Sequence, residues 1–210
     1  MENIQEELKA IPVFLINKKI YNGFMKNKDL TTLAMLIAIT ILLGIIPNIG
    51  IIQIGVVSLT ILHIPVIIAS LLLGVKGGFI TGLCFGLTSL YVASTRAVSP
   101  VDLLFVNPLI SVLPRALFGL IVGLIRELLK KNTKDVINGI YGFVSTIIHT
   151  VLVYASLFIW AKNDLGTNLV EYNIVKYILT AFSINAFIEA IVAGVITAIL
   201  MKSYRRLRKH

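Results

Sequence analysis

The residues best equipped for chemistry stand where polar groups are costly. His63, Asn107, Ser111, Arg115, His149, Tyr154, Asn185 and Glu189 all interrupt long runs rich in Leu, Ile and Val. Asn107, Ser111 and Arg115 are spaced four apart, which puts them on one face of a helix. An arginine, histidines and amide or hydroxyl donors together suit an anionic solute, held by charge-assisted hydrogen bonds. Arg96, in a polar stretch before Asn107, joins the candidates. Other chemistries lack their signatures. His63 and His149 could ligate zinc, but no compact ligand motif accompanies them, so no metal site is assigned. There is neither a His-Glu-x-x-His nor a Gly-x-Ser-x-Gly motif, so no catalytic residue is assigned and the chain does not read as an enzyme.

The elements that must position these groups are legible in the same runs. Of 210 residues, 57% are hydrophobic and only 14% charged, with a mean hydropathy of +0.93; soluble domains carry about 25% charge. Apolar segments lie near 31–47, 56–74, 77–94, 107–128, 136–160 and 174–201. Their lengths approach the ~20 residues that cross a ~30 Å hydrocarbon core. Backbone groups in lipid must pair internally, so the segments read as helices, and the alternating ~10-residue strands of a membrane barrel are absent. Pro47-Asn48, Gly74 to Gly78, Ser94 to Asn107, Lys130 to Asp135 and Lys162 to Tyr172 separate them, with Gly and Pro as turn formers. The fold class is therefore all-α: a polytopic membrane protein with six transmembrane helices in one bundle. Residues 31–201 form this domain, preceded by a cytoplasmic or interfacial segment 1–30 and followed by a basic tail 202–210. Cys84 has no internal partner, so no disulfide is expected, and the mixed, lysine-bearing start does not read as a cleavable signal peptide.

Charge sets the orientation. Lys9, Lys18, Lys19, Lys26, Lys28, Lys76, Arg126, Lys130, Lys131, Lys134, Lys202, Arg205, Arg206, Arg208 and Lys209 fall on one side, against Arg96, Lys162 and Lys176 on the other. Positive charge stays in the cytoplasm, which puts both termini inside. The net charge of +9 then reflects topology and contact with anionic membrane lipid. Nucleic acid is not an expected partner, because no stacking aromatics accompany the basic runs. Ile11 to Phe24 fits an interfacial helix or a disordered extension. With orientation set, the polar groups of four helices share the outer half of the membrane. A charge at the centre costs roughly 2.5–3.5 kcal/mol on insertion scales, so they should face an interior solute pocket.

Structural roles compete with solute contact residue by residue. Arg115 and Glu189 could neutralise each other as a buried pair. His63 precedes Pro65 and could serve backbone freed by a proline kink, His149 could simply pack, and Asn107-Pro108 suits a helix cap with proline in the first turn. Small residues recur four apart at Ala34 and Ala38, at Gly78, Gly82 and Gly86, at Gly119 and Gly123, and at Ala186, Ala190, Gly194 and Ala198. Such rows let helices approach closely, within the bundle or against a partner.

An ordered set of motifs spans the helices: Leu33-Ala34-Met35-Leu36-Ile37-Ala38, His63-Ile64-Pro65-Val66-Ile67-Ile68, Leu73-Gly74-Val75-Lys76-Gly77-Gly78, and Phe105-Val106-Asn107-Pro108-Leu109-Ile110-Ser111 followed by Pro114-Arg115. Over about residues 30–205 the chain resembles the substrate-binding S-components of energy-coupling factor (ECF) vitamin transporters. The resemblance implies a six-helix subunit that binds a vitamin or precursor near the outer face. It implies partnership with a transmembrane coupling protein and two cytoplasmic ATPases, with the Ala34 and Ala38 face of the first helix on the coupling protein. The solute would be released inside as the bound subunit topples. The chain has no cofactor of its own: it lacks a G-x-x-x-x-G-K-[ST] phosphate loop, so ATP is used by the partners. The motifs are most similar to the pantothenate branch, apart from Asn107 where serine is expected. Trp160, Tyr91 and Tyr154 keep riboflavin open, and folate and other precursors stay open with it.

The expected location is the cell membrane, multi-pass. A self-contained secondary carrier and an intramembrane hydrolase are the alternatives. The first usually shows inverted repeats, which are not visible between residues 31–94 and 107–201, and the second lacks its motifs.

Overall fold

The computed structural model describes residues 27–47, 49–54, 57–97, 100–129, 135–164 and 172–207. The Ile11–Phe24 stretch, Lys130, Lys131 and Lys134, and the terminal Arg208 and Lys209 lie outside the described residues. The chain divides into two units, Met1–Thr32 and Leu33–His210; of the first, only the opening of one helix is described. The elements run α1 (Asn27–Ile45), β1 (Ile51–Ile54), β2 (Val57–Thr60), α2 (His63–Arg96), α3 (Pro100–Leu104), α4 (Pro108–Leu128), α5 (Asp135–Asp164) and α6 (Tyr172–Leu207).

Five of these helices, α1, α2, α4, α5 and α6, are long and apolar enough to cross a membrane. They carry the predicted segments because α2 holds the second and third of them on either side of Gly74. At that residue φ is 69° and ψ is −152°, and the helix breaks. Glycine alone takes this conformation without a Cβ clash, so the turn expected at Gly74 to Gly78 is a kink at its first residue. Three residues before the break, the Leu71 carbonyl accepts from Arg126 Nε of α4 at 3.0 Å, while Arg126 Nη1 donates to the Leu129 carbonyl at 3.2 Å. One cation thus serves backbone acceptors near the kink and past the end of its own helix.

The second helix departs from expectation at its start. It was expected from residue 56 but begins at His63, and β1 and β2 pair antiparallel before it, with Ile51 opposite Thr60 and Ile54 opposite Val57. Ile61 N donates to the Gly50 carbonyl at 2.9 Å, closing the base of this hairpin. The stretch is dense in Ile, Val and Thr, whose branched side chains favour pleated backbone, and short apolar runs read equally as strand or helix. His63 and Phe85 are equidistant in sequence from Gly74, one on each arm of α2. The arm from His63 to Leu73 rises only ~16 Å at ~1.5 Å per residue, about half of a ~30 Å core. The hairpin therefore stands where a helix of full membrane length would continue. Non-helical backbone at such depth is tolerated where protein buries it or where it lines a cavity.

Glycine rows bring helices into backbone contact. Gly78 and Gly82 abut the Gly119 and Arg115 backbone, and a Cβ added at Gly86 would lie 2.7 Å from Val112 Cα. A Cβ at Gly123 would lie 2.5 Å from Val75 Cα, so α2 and α4 run antiparallel along this seam. On the other side Gly194 meets the Gly139 carbonyl of α5, and a Cβ at Gly142 would lie 2.9 Å from Thr197 Cβ of α6. Asp135 and Arg205 join α5 to α6 by an ion pair. Tyr141 of α5 donates to the Val122 carbonyl of α4 at 2.6 Å. Between the helices lie Ile67, Val66, Ile110, Phe118 and Val122, fully buried. Met35, Leu42, Leu87, Leu124, Val151, Ile191 and Ile199 are exposed, as apolar side chains facing lipid are.

The glycine seam predicts an asymmetry. Gly82→Leu should destabilise the bundle by about 1–3 kcal/mol, since the added side chain must displace backbone. Ala34→Leu, on an exposed face of α1, should stay within about 0.5 kcal/mol. Thermal unfolding in detergent compares them, and equal melting temperatures would contradict the close approach of α2 and α4.

Candidate functional site

The sequence-predicted residues fall into distinct local settings. Asn107 is the N-cap of α4, its side chain accepting from Leu109 N at 2.9 Å with Pro108 in the first turn. Ser111, buried, donates to the Asn107 carbonyl at 3.2 Å one turn above. Arg96 closes the last turn of α2, where Nη2 donates to the Gly44 carbonyl of α1 at 3.2 Å. Asn107 and Ser111 thus close the start of α4, and Arg96 ties the end of α2 to the end of α1.

Deeper in the bundle, Arg115, His63 and His149 come together. Pro114 has no N–H, so the Ile110 carbonyl four residues earlier loses its helical donor. Arg115 Nη1 fills that place at 2.6 Å, because side chains on a helix lean toward its N-terminus. The guanidinium carbon then lies 4.8 Å from the centre of the Phe105 ring and 5.6 Å from that of Phe85. His149 sits at the middle of a ring cluster. Its imidazole stacks on His63 with centroids 5.4 Å apart and planes 11° apart, with Phe85 at 5.4 Å and Phe118 edge-on at 5.1 Å.

The proline service expected of His63 belongs to Arg115 instead. Pro65 stands in the first turn of α2, where an N–H would have no helical partner in any case. The His63 imidazole approaches the Thr60 backbone without completing a hydrogen bond. Both nitrogens of His63, both of His149 and Nε of Arg115 are buried and have no hydrogen-bond partner among the described residues. Leaving a buried polar group unsatisfied costs about 1–3 kcal/mol. Three such side chains from α2, α4 and α5, walled by phenylalanine, form a site that is short of an acceptor.

Glu189 is not the missing acceptor. No ion pair joins it to Arg115 among the described residues; its Oε1 accepts from Thr60 N at the base of the hairpin, at 2.5 Å. Tyr154 of α5 lies within the field of this carboxylate. Asn185, one turn from Glu189 on α6, has a buried Nδ2 with no hydrogen-bond partner among the described residues. The polar residues thus form an arginine–imidazole group on α2, α4 and α5 and a carboxylate–amide–phenol group on α5 and α6. The short run Thr60 to His63 links the two. Among the described residues no group of three or more His, Cys, Asp or Glu side chains could hold a metal ion.

The walls of the site were harder to foresee than its polar members. Phe105 stood in a quoted motif, but Phe85 and Phe118 are two of 10 phenylalanines in apolar runs with nothing to set them apart. Thr60 acts through its backbone N–H, which carries no sequence signal.

Residues 28–201 match the family described as ECF transporter, substrate-specific component. The chain belongs to this family, and it is accordingly the substrate-specific subunit of a transporter rather than an enzyme. Among curated proteins it is similar to the pantothenic acid transporter PanT of Lactococcus lactis subsp. cremoris, 29% identical over 198 residues that cover 88% of this chain and 97% of that protein. It is also similar to the pantothenate transporter PanT of Leuconostoc mesenteroides subsp. mesenteroides, 28% identical over 183 residues covering 81% of this chain and 88% of that one.

The separate partners of Arg115 and Glu189 make a quantitative expectation. In a double-mutant cycle of Arg115→Met and Glu189→Met, measured by thermal unfolding, the coupling should stay below about 0.5 kcal/mol. A coupling of about 2 kcal/mol or more would restore the buried ion pair.

Proposed function

We propose that the chain captures pantothenate from the outer side of the cell membrane for ATP-driven uptake by a separate coupling protein and two cytoplasmic ATPases. One observation carries the reading: the imidazole nitrogens of His63 and His149 and Nε of Arg115 are buried with no hydrogen-bond partner among the described residues. A carboxylate supplies the acceptors they lack, and charge-assisted bonds of this kind are about twice as strong as neutral ones. The rest of pantothenate suits the surroundings. Its geminal methyl groups match the phenylalanine walls, and its hydroxyls and amide match Asn185, Tyr154 and the polar side chains at the head of α4. That both relatives are pantothenate transporters by name supports the same vitamin.

Calorimetry with the purified protein tests this. Pantothenate should bind the parent, while Arg115→Met and His149→Phe should each lose about thirty-fold or more, the ~2–5 kcal/mol of a truncated buried charge contact. Panthenol, with an alcohol in place of the carboxylate, should bind the parent comparably weakly. Variants and panthenol within threefold of parent and pantothenate would rule out carboxylate recognition here, and riboflavin or folate binding more tightly would redirect the assignment.

The coupling protein is proposed to rest on α1. Leu33, Leu36, Thr40 and Gly44 are its buried row, whereas Ala34, Ala38, Ile41 and Ile45 form an exposed row at helical spacing. Small side chains there admit a partner helix closely. Ala34→Trp with Ala38→Trp should abolish pantothenate uptake in cells while calorimetric affinity of the isolated subunit stays within about threefold. Uptake that survives the double change would move the coupling surface elsewhere.

A further inference from the structure

Glu189 was expected among the solute contacts or as the counter-ion of Arg115, and among the described residues no ion pair joins it to Arg115. It is buried, and its Oε1 accepts from the backbone N–H of Thr60 at 2.5 Å. Thr60 closes β2, opposite Ile51, and its Oγ1 donates to the Gly50 carbonyl at 3.3 Å while accepting from Leu62 N at 3.4 Å. Three residues later His63 opens α2 and stacks on His149. Among the described residues, every hydrogen bond of this junction except one is local in sequence. The exception is Glu189, which reaches the hairpin from α6.

We infer that Glu189 is a positioning residue: its carboxylate oxygen anchors the base of the Ile51–Thr60 hairpin to α6 and so sets where α2 begins and where His63 stands. Non-helical backbone within a membrane domain needs partners from the protein or a cavity, and the half-buried Thr60 N–H takes its partner from α6. Without an acceptor from α6, the strand end must shift to find one, and the imidazole three residues on shifts with it. What the anchor needs is an acceptor at the right reach rather than a charge. Its effect on solute rests on the pantothenate reading above; its effect on the hairpin does not.

Reach and charge are separated by two conservative variants. Glu189→Gln keeps an oxygen acceptor at full length and removes the charge, whereas Glu189→Asp keeps the charge and draws it back by about 1.5 Å, one carbon–carbon bond. Hydrogen exchange of the backbone amides of residues 57–62, read by mass spectrometry on the solute-free protein, should accelerate about tenfold in Glu189→Asp and stay within about threefold in Glu189→Gln. Pantothenate dissociation should follow the same order, faster in Asp than in Gln, with association little changed. Exchange unchanged in both variants, accelerated in Gln but not Asp, or accelerated equally in both would overturn the anchor, since each makes charge or packing the deciding property. If exchange follows the expected order but the parent binds no pantothenate, the anchor stands and the solute assignment is what fails.

Discussion

Because Gly78, Gly82 and Gly86 carry no Cβ, α2 lies against the backbone of α4 at Gly119, Arg115 and Val112. Much of the site depends on this contact. It puts Phe85 beside the Arg115 guanidinium, and with Phe118 from the same seam these rings meet His149 of α5. A bulkier row would hold the two helices apart and separate the arginine from its aromatic wall. Apolar side chains gain nothing by leaving lipid for protein, so association within a membrane relies on packing contacts of this kind.

A second constraint is the need to satisfy backbone polar groups without water. Proline, a positive-φ glycine and a strand end each leave backbone groups outside the regular helical ladder, and each meets a long polar side chain. Arg115 serves the Ile110 carbonyl beside Pro114, Arg126 serves the Leu71 carbonyl beside Gly74, and Glu189 serves the Thr60 amide. Two of these three reach across from another helix, so they also tie elements together. Charged residues within the spans therefore have structural work that is visible without any ligand. The imidazoles of His63 and His149 do not share it: among the described residues no carbonyl or amide completes a bond with them. That difference, more than burial alone, separates the charged groups that serve the backbone from the two imidazoles.

The surface of the helices divides in a related way. The buried row of α1 ends at Gly44, where Thr88 and Leu62 pack against it and Arg96 caps its carbonyl. Its alanine row faces outward. Elsewhere small-residue rows are consumed inside the bundle, between α2 and α4 and between α5 and α6. Identical spacing thus serves two ends, and only the burial of each row tells them apart.

The sequence by itself determined the membrane environment, the apolar segments, the family motifs and the set of polar residues inside the spans. All of these depend on composition and short-range periodicity, and a ~20-residue apolar run has few structural options in lipid. The cap at Asn107 was legible for the same reason, being a matter of two adjacent residues. Tertiary structure alone decided that Ile51 to Thr60 forms a hairpin, that Arg115 bonds the carbonyl beside Pro114, and that Glu189 bonds Thr60 rather than Arg115. An apolar, β-branched run satisfies strand and helix patterns alike until its neighbours are known. A buried charge takes whichever partner the packing brings within about 3 Å, and that partner can stand far away in the chain.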